Sequence, residues 1–128
     1  MNISMVGIDH NIADVNIREK VALTKTKLTL VLRKIKDFYC VSGVVIISTC
    51  NRTEIWLNGY DDKASLEDMV CNVLNVNREF VKLYFVKRIG EDAVRHLFSL
   101  SSGVESKIIG EDQILTQVRQ SADIAREN

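Results

Sequence analysis

A thiol, a guanidinium and flanking hydroxyls stand together in Ser48-Thr49-Cys50-Asn51-Arg52. The thiolate is the nucleophilic form of cysteine, and only a few per cent of a free thiol is ionised at neutral pH. A nearby cation or base raises that fraction. Arg52 lies two residues from Cys50, and residues two apart on an extended segment share a face. Arginine also grips a carboxylate through two parallel hydrogen bonds. The chemistry this spacing allows is therefore attack on a reactive carbonyl whose substrate also carries a carboxylate. Bland roles stand beside these: Cys50 as a small residue packing at a strand end, and Arg52 as a solvent-facing charge paired with Glu54.

Other side chains could assist. His96 sits in a helical stretch beside Leu97 and Phe98, either as a base or as a packing residue. His10 follows a strand end, where a plain hydrogen-bonding role is expected. Gln113 and Gln117 are four apart and so share one helix face. Their amides both donate and accept, which suits an amino-acid ligand, and Glu111 could accept from an ammonium group; a solvated amphipathic helix is the alternative. Gly103 and Gly110 are too far apart for a dinucleotide fingerprint. The two histidines have no partners at metal-ligand spacing, so no metal site is expected.

These groups need elements to position them. An apolar, β-branched run, Val44-Val45-Ile46-Ile47, leads into the Cys50 segment and reads as a buried strand. A second strand follows over 53–57, so the chain reverses near Cys50-Asn51-Arg52; asparagine tolerates the left-handed conformation such a turn can need. A first strand is expected over 3–8, followed by a short segment over 17–23. Thr24 or Thr26 caps a helix with Leu28, Val31, Leu32, Ile35 and Phe38 on its apolar stripe. Asn58-Gly59 marks a turn, and Asp61 and Asp62 suit the start of a helix carrying Leu66, Met69, Val70, Val73 and Leu74. Residues 81–86 are strand-like in composition. The order is β-α-β-β-α-β, an α+β, ferredoxin-like antiparallel sheet with helices on one face. Additional C-terminal helices follow: one opening at Gly90-Glu91-Asp92 with Val94, Leu97, Phe98 and Leu100 on its apolar side, and one after Gly110.

The chain has 128 residues, 46% hydrophobic and 27% charged, as expected for one globular domain. Its 17 Lys and Arg balance 17 Asp and Glu. That argues against a histone-like nucleic-acid binder but leaves room for a local basic patch, with Lys82, Lys87 and Arg88 as candidates. No apolar run approaches a membrane span, and the N-terminus lacks the pattern of a signal peptide. Cys40, Cys50 and Cys71 read as free thiols in a reducing cytoplasm.

Several blocks together resemble one family. Ser48-Thr49-Cys50-Asn51-Arg52-Thr53-Glu54 is similar to a signature of glutamyl-tRNA reductases. So are Gly110-Glu111-Asp112-Gln113-Ile114-Leu115 with Gln117-Val118, Gly7-Ile8-Asp9-His10, Arg18-Glu19-Lys20 and Ala93-Val94-Arg95-His96-Leu97-Phe98. The blocks run in the family's order over residues 1–128 and correspond to its N-terminal, substrate-recognising catalytic domain. The resemblance implies that the family's NADPH-binding and dimerisation domains are absent from this chain.

The resemblance further implies NADPH-dependent reduction of glutamyl-tRNA(Glu) to glutamate-1-semialdehyde, the first step of five-carbon tetrapyrrole (porphyrin, haem) biosynthesis. Cys50 matches the nucleophile that would hold the glutamyl group as a thioester, and His96 matches a histidine assisting the chemistry. Arg52 matches the clamp on the glutamate carboxylate. Thr49, Asn51, Ser106, Glu111, Asp112, Gln113 and Gln117 match positions lining the glutamate site. It also implies a homodimeric full-length protein that can hand its product to the glutamate-1-semialdehyde aminomutase, while this stretch alone is expected to be monomeric and unable to reduce. Two departures, Ile12-Ala13-Asp14 after His10 and Asp112 before Gln113, stand where the family often has proline. The competing expectation is a non-catalytic ferredoxin-like module that binds a ligand or regulates.

Overall fold

The computed structural model describes residues 2–101. Four strands form one sheet: β1 (Ile3–Asp9), β2 (Gly43–Ser48), β3 (Arg52–Asn58) and β4 (Val86–Ile89). Their spatial order is β2-β3-β1-β4, and each neighbouring pair is antiparallel. Between them run α1 (Val15–Glu19), α2 (Lys25–Phe38), α3 (Leu66–Leu74), α4 (Arg78–Tyr84) and α5 (Glu91–Ser101). The four-stranded antiparallel sheet with helices is the α+β class expected from the sequence.

The strand period of two divides β3 between two apolar layers. Ile55 and Leu57 join Val6, Ile8, Val44 and Ile46 beneath α2 and α3, where Leu28, Leu32, Ile35, Leu66 and Met69 complete the main core. Trp56 joins Met5 and Ile47 on the other face, against Ala93 and Leu100 of α5. The expectation of helices on one face therefore holds for α2 and α3, while α5 covers the opposite face. A strand buried on both sides cannot alternate polar with apolar, and residues 52–57 are buried without a break.

Local chemistry sets the helix ends. The Thr24 hydroxyl accepts from the Lys27 amide at 3.2 Å and starts α2. Asp61 and Asp62 make no such cap; Asp61 instead accepts from the Asn2 side chain at 2.7 Å, and a short 3-10 turn, Lys63–Ser65, precedes α3. Asn75 ends α3 in the left-handed conformation, and Asn77 then accepts from the Phe80 amide at 2.8 Å to start α4. Residues 78–84 are thus helical where a strand was expected over 81–86. Val81 and Phe85, four apart, face one side, and the strand begins only at Val86. Phe38 and Phe98, placed on apolar stripes from spacing, are 77% and 68% exposed. The helix expected after Gly110 lies outside the described residues.

Gly7 stands opposite Glu54 in the register of β1 and β3. A Cβ at Gly7 would come within 2.7 Å of Glu54 Cγ and 2.9 Å of the Thr53 carbonyl oxygen. Glycine is needed here for space. Gly7→Ala is expected to destabilise the fold by about 1–3 kcal/mol through overpacking, read as a lower midpoint in urea denaturation; an unchanged midpoint would contradict this close approach.

Candidate functional site

The Cys50 turn is built by hydrogen bonds rather than by unusual backbone. The Thr49 amide donates to the Arg52 carbonyl at 2.8 Å. The Thr49 hydroxyl accepts from the amides of Asn51 and Arg52 at 3.1 and 3.2 Å. Asn51 is not left-handed; the one non-glycine residue with positive φ among the described residues is Asn75. Two strand-end hydroxyls then tie the turn to the segment before α2. Ser48 Oγ accepts from the Leu23 amide at 3.1 Å, and Thr53 Oγ1 donates to the Val21 carbonyl at 3.4 Å.

Cys50 is exposed at the rim of a cleft of about 110 Å³. Thr49, Arg52 and Thr53 line it from the turn, and Arg18 and Glu19 line it from α1. Arg18 is fixed by donating from Nη1 to the Ala13 carbonyl at 2.7 Å. The cleft therefore sets two guanidinium groups near a thiol, which suits a substrate that is an anion and an electrophile at once.

Behind the cleft, on the α5 side of the sheet, lies a buried polar network. Arg52 is 2% exposed, so the solvent-facing role for it falls. Its Nη1 lies 3.3 Å from Glu54 Oε2 and 3.8 Å from Asp9 Oδ2. Glu54 also accepts from Trp56 Nε1 at 3.2 Å and meets His96 Nε2 at 2.7 Å. The His96 ring stacks on Trp56, with centroids 6.0 Å apart and planes at 10°.

Burial alone would raise the Glu54 carboxyl. The His96 hydrogen bond, the charges of His96 and Arg52, and the Trp56 N–H outweigh it and hold the group below its ordinary value. Glu54 is therefore ionised at neutral pH and can only accept hydrogen bonds. That assigns the hydrogen of this bond to His96 Nε2. Nδ1 is buried and has no hydrogen-bond partner among the described residues.

The structure thus brings Thr49, Cys50, Asn51 and Arg52 into one turn, and links Arg52 to His96 through Glu54. His96 is buried and is absent from the cleft lining. Arg52 shares the cleft with Cys50 because the turn folds back, not because the two share a strand face. His10 does not have the expected hydrogen bonds among the described residues, where both its ring nitrogens are buried without a partner. Ser106, Glu111, Asp112, Gln113 and Gln117 lie outside the described residues. Among the described residues there is no group of three or more His, Cys, Asp or Glu able to hold a metal ion.

The pairing of Arg52 with Glu54 was read from the sequence and holds, but the site roles of Asp9 and Arg18 and the bond of Glu54 to His96 were missed, although all fall within the motif blocks; for Asp9 the missing signal was its register opposite Arg52 across β1 and β3. The other two cysteines differ in setting. Cys40 is exposed, whereas burial, and to a lesser degree the carboxylates of Asp68 and Glu67, push the Cys71 thiol up against the opposing charge of Arg78.

Comparison with known proteins identifies relatives. A family-wide profile described as "Glutamyl-tRNAGlu reductase, N-terminal domain" matches residues 6–128. The chain is 41% identical to the glutamyl-tRNA reductase of Acetivibrio thermocellus over 128 residues, covering 99% of this chain and 39% of the relative. It is 39% identical to that of Alkaliphilus oremlandii, covering 99% and 38%. The solved glutamyl-tRNA reductase of Methanopyrus kandleri superposes with a TM-score of 0.77 at 30% identity, covering 98% of this chain and 28% of that one. The chain thus spans between a quarter and two fifths of the length of these relatives.

The lowered Glu54 carboxyl has a direct consequence for stability. A carboxyl depressed in the folded state stabilises the fold above its ordinary value and loses that contribution as pH falls through the folded value. Glu54→Gln leaves Arg52 and His96 short of a buried anion and is expected to cost about 3 kcal/mol or more at pH 7. The gap from wild type should narrow as pH falls below the ordinary value of 4.5. Urea denaturation at both pH values checks this; a gap independent of pH would contradict an ionised Glu54.

Proposed function

The chain belongs to the glutamyl-tRNA reductase family as its N-terminal domain, and from that premise we propose that it carries the acyl-transfer half of the reduction of glutamyl-tRNA(Glu) to glutamate-1-semialdehyde. The observation that carries this reading is the exposed Cys50 thiol sharing a cleft with Arg52 and Arg18. The Cys50 thiolate attacks the ester carbonyl of glutamyl-tRNA. A carbon–sulfur bond forms, the carbon–oxygen bond to the tRNA breaks, and the released tRNA hydroxyl takes a proton. The glutamyl group is left as a thioester, whose carbonyl is more electrophilic than that of the ester.

Arg52 holds the substrate carboxylate, and its position is set by Glu54 and Asp9. Thr49 shapes the turn that presents the thiol, with Asn51 beside it. His96 has its Nε2 hydrogen committed to Glu54, and Nδ1 is the atom we assign to proton transfer. Ser106, Glu111, Asp112, Gln113 and Gln117 complete the glutamate site in this reading, on the strength of their match to the family signature.

NADPH supplies hydride to an acyl group in such a reduction. The described residues do not fit it: every strand pair is antiparallel, so there is no parallel βαβ crevice, and no glycine-rich turn leads from a strand into a helix N-terminus. We therefore assign NADPH to the part of the reductase that this chain does not span, and with it the dimerisation of the whole enzyme. No helix among the described residues is long and apolar enough to cross a membrane. A cytoplasmic enzyme opening the tetrapyrrole route, passing its aldehyde to an aminomutase, accords with this reading.

Two substitutions test it. Cys50→Ser should remove the acid-stable glutamyl species formed from labelled glutamyl-tRNA, and its persistence would reject Cys50 as nucleophile. Arg52→Lys keeps the charge but loses the two-pronged grip. It should reduce discrimination between glutamyl and glutaminyl esters by about tenfold or more; unchanged discrimination would take Arg52 out of the carboxylate site.

A further inference from the structure

The net charge of zero conceals an uneven distribution. Residues 18–37 hold seven of the 17 Lys and Arg, against Glu19 and Asp37. Five of these cations, Lys25, Lys27, Arg33, Lys34 and Lys36, lie on α2 and all are exposed. The helix buries Leu28, Val31, Leu32 and Ile35 against the sheet, so its charges face outward. Lys27 and Lys34 are seven residues apart, two turns along one side of the helix. Neither has an acidic partner among the described residues. On the outer surface Lys25, Thr26, Thr29, Leu30 and Arg33 line a shallow groove of about 400 Å³ that contains no acidic side chain.

The direction of α2 matters as much as its charge. Its N-terminus follows directly from the Val21–Leu23 bonds to Thr53 and Ser48, at the strand ends that carry the Cys50 turn. Its C-terminus lies at the far end of the sheet, where Tyr39 meets Tyr60 edge-on at 6.2 Å. Fourteen residues at 1.5 Å each carry the basic face about 20 Å away from the thiol.

The patch around Lys82, Lys87 and Arg88 is weaker. Arg78, Arg88 and Arg95 in that region are each paired, with Asp68, Asp92 and Glu91.

We propose that the outer face of α2 is the track for the phosphodiester backbone of the RNA whose charged end reaches Cys50. The proposal rests on the reading of the substrate as a charged tRNA and deepens it by assigning the surface that holds the nucleic acid. A polyanion suits a face with several exposed lysines, because each phosphate contact releases bound counterions and adds to the salt dependence of binding. These contacts position the RNA without reading its sequence.

The test is binding of uncharged tRNA(Glu), measured by fluorescence anisotropy over a salt series, with the charge-reversal pair K27E/K34E. Both side chains are exposed, so the fold is expected to stand, and circular dichroism monitors it. Affinity should fall about tenfold or more, and the slope of log affinity against log salt should lose about two units. The matched pair K82E/K87E should lose less than about threefold. Acylation of Cys50 by a small glutamyl thioester should be unchanged in K27E/K34E, which separates RNA docking from the chemistry. Wild-type affinity in K27E/K34E, an equal loss in K82E/K87E, or no tRNA binding by the wild type would overturn the proposal. Salt-dependent binding through α2 with no glutamyl transfer to Cys50 would uphold this surface and reject the functional reading alone.

Discussion

A single carboxylate, that of Glu54, is the constraint on which the site depends. It is 2% exposed in the middle of the sheet, where an unpaired charge would cost several kcal/mol. Three side chains compensate it: Arg52 from the same strand, Trp56 two residues on, and His96 from α5. Gly7 on the neighbouring strand leaves the room it occupies. The network therefore fixes a guanidinium near the thiol and fastens α5 to the sheet. Breaking it would leave two or more buried polar groups without partners at once, which makes the arrangement all-or-none.

The thiol itself is held differently. Cys50 sits on a turn whose shape comes from one threonine hydroxyl and one backbone bond. Ser48 and Thr53 hold that turn against the start of α2. A buried charged layer thus lies behind an exposed thiol, a division that suits a substrate arriving from solvent. The same strand ends also hold the segment from which α2 and its basic face begin. In a chain with no net charge, this is how attraction for an anion is focused on one side.

Much of this was legible in the sequence. Helical spacing identified the buried stripe of α2 at Leu28, Val31, Leu32 and Ile35, and all five buried positions of α3. β-branched composition located β2, and motif chemistry singled out Cys50 and Arg52. The misses have physical causes. Residues 81–86 are apolar enough for a strand, but Asn77 starts a helix there, and a side-chain cap outweighs composition. Phe38 falls near the edge of its helix stripe, whereas Phe98 lies on the side of α5 away from Ala93, His96 and Leu100 and faces solvent. The role of Glu54 could not be read because it depends on which residues stand across the sheet and on a helix 42 positions away. Nor does periodicity alone say that α5 covers the second face of the sheet.

The most direct test is the rate of Cys50 glutamylation by glutamyl-tRNA, followed by acid quenching and intact-protein mass spectrometry, in the wild type and in Glu54→Gln under conditions where both are folded. The account predicts one glutamyl adduct on the wild-type protein, mapping to Cys50, and formation slowed by about tenfold or more once Glu54 no longer holds Arg52 and His96. An adduct at another residue, or equal rates in the two proteins, would contradict it.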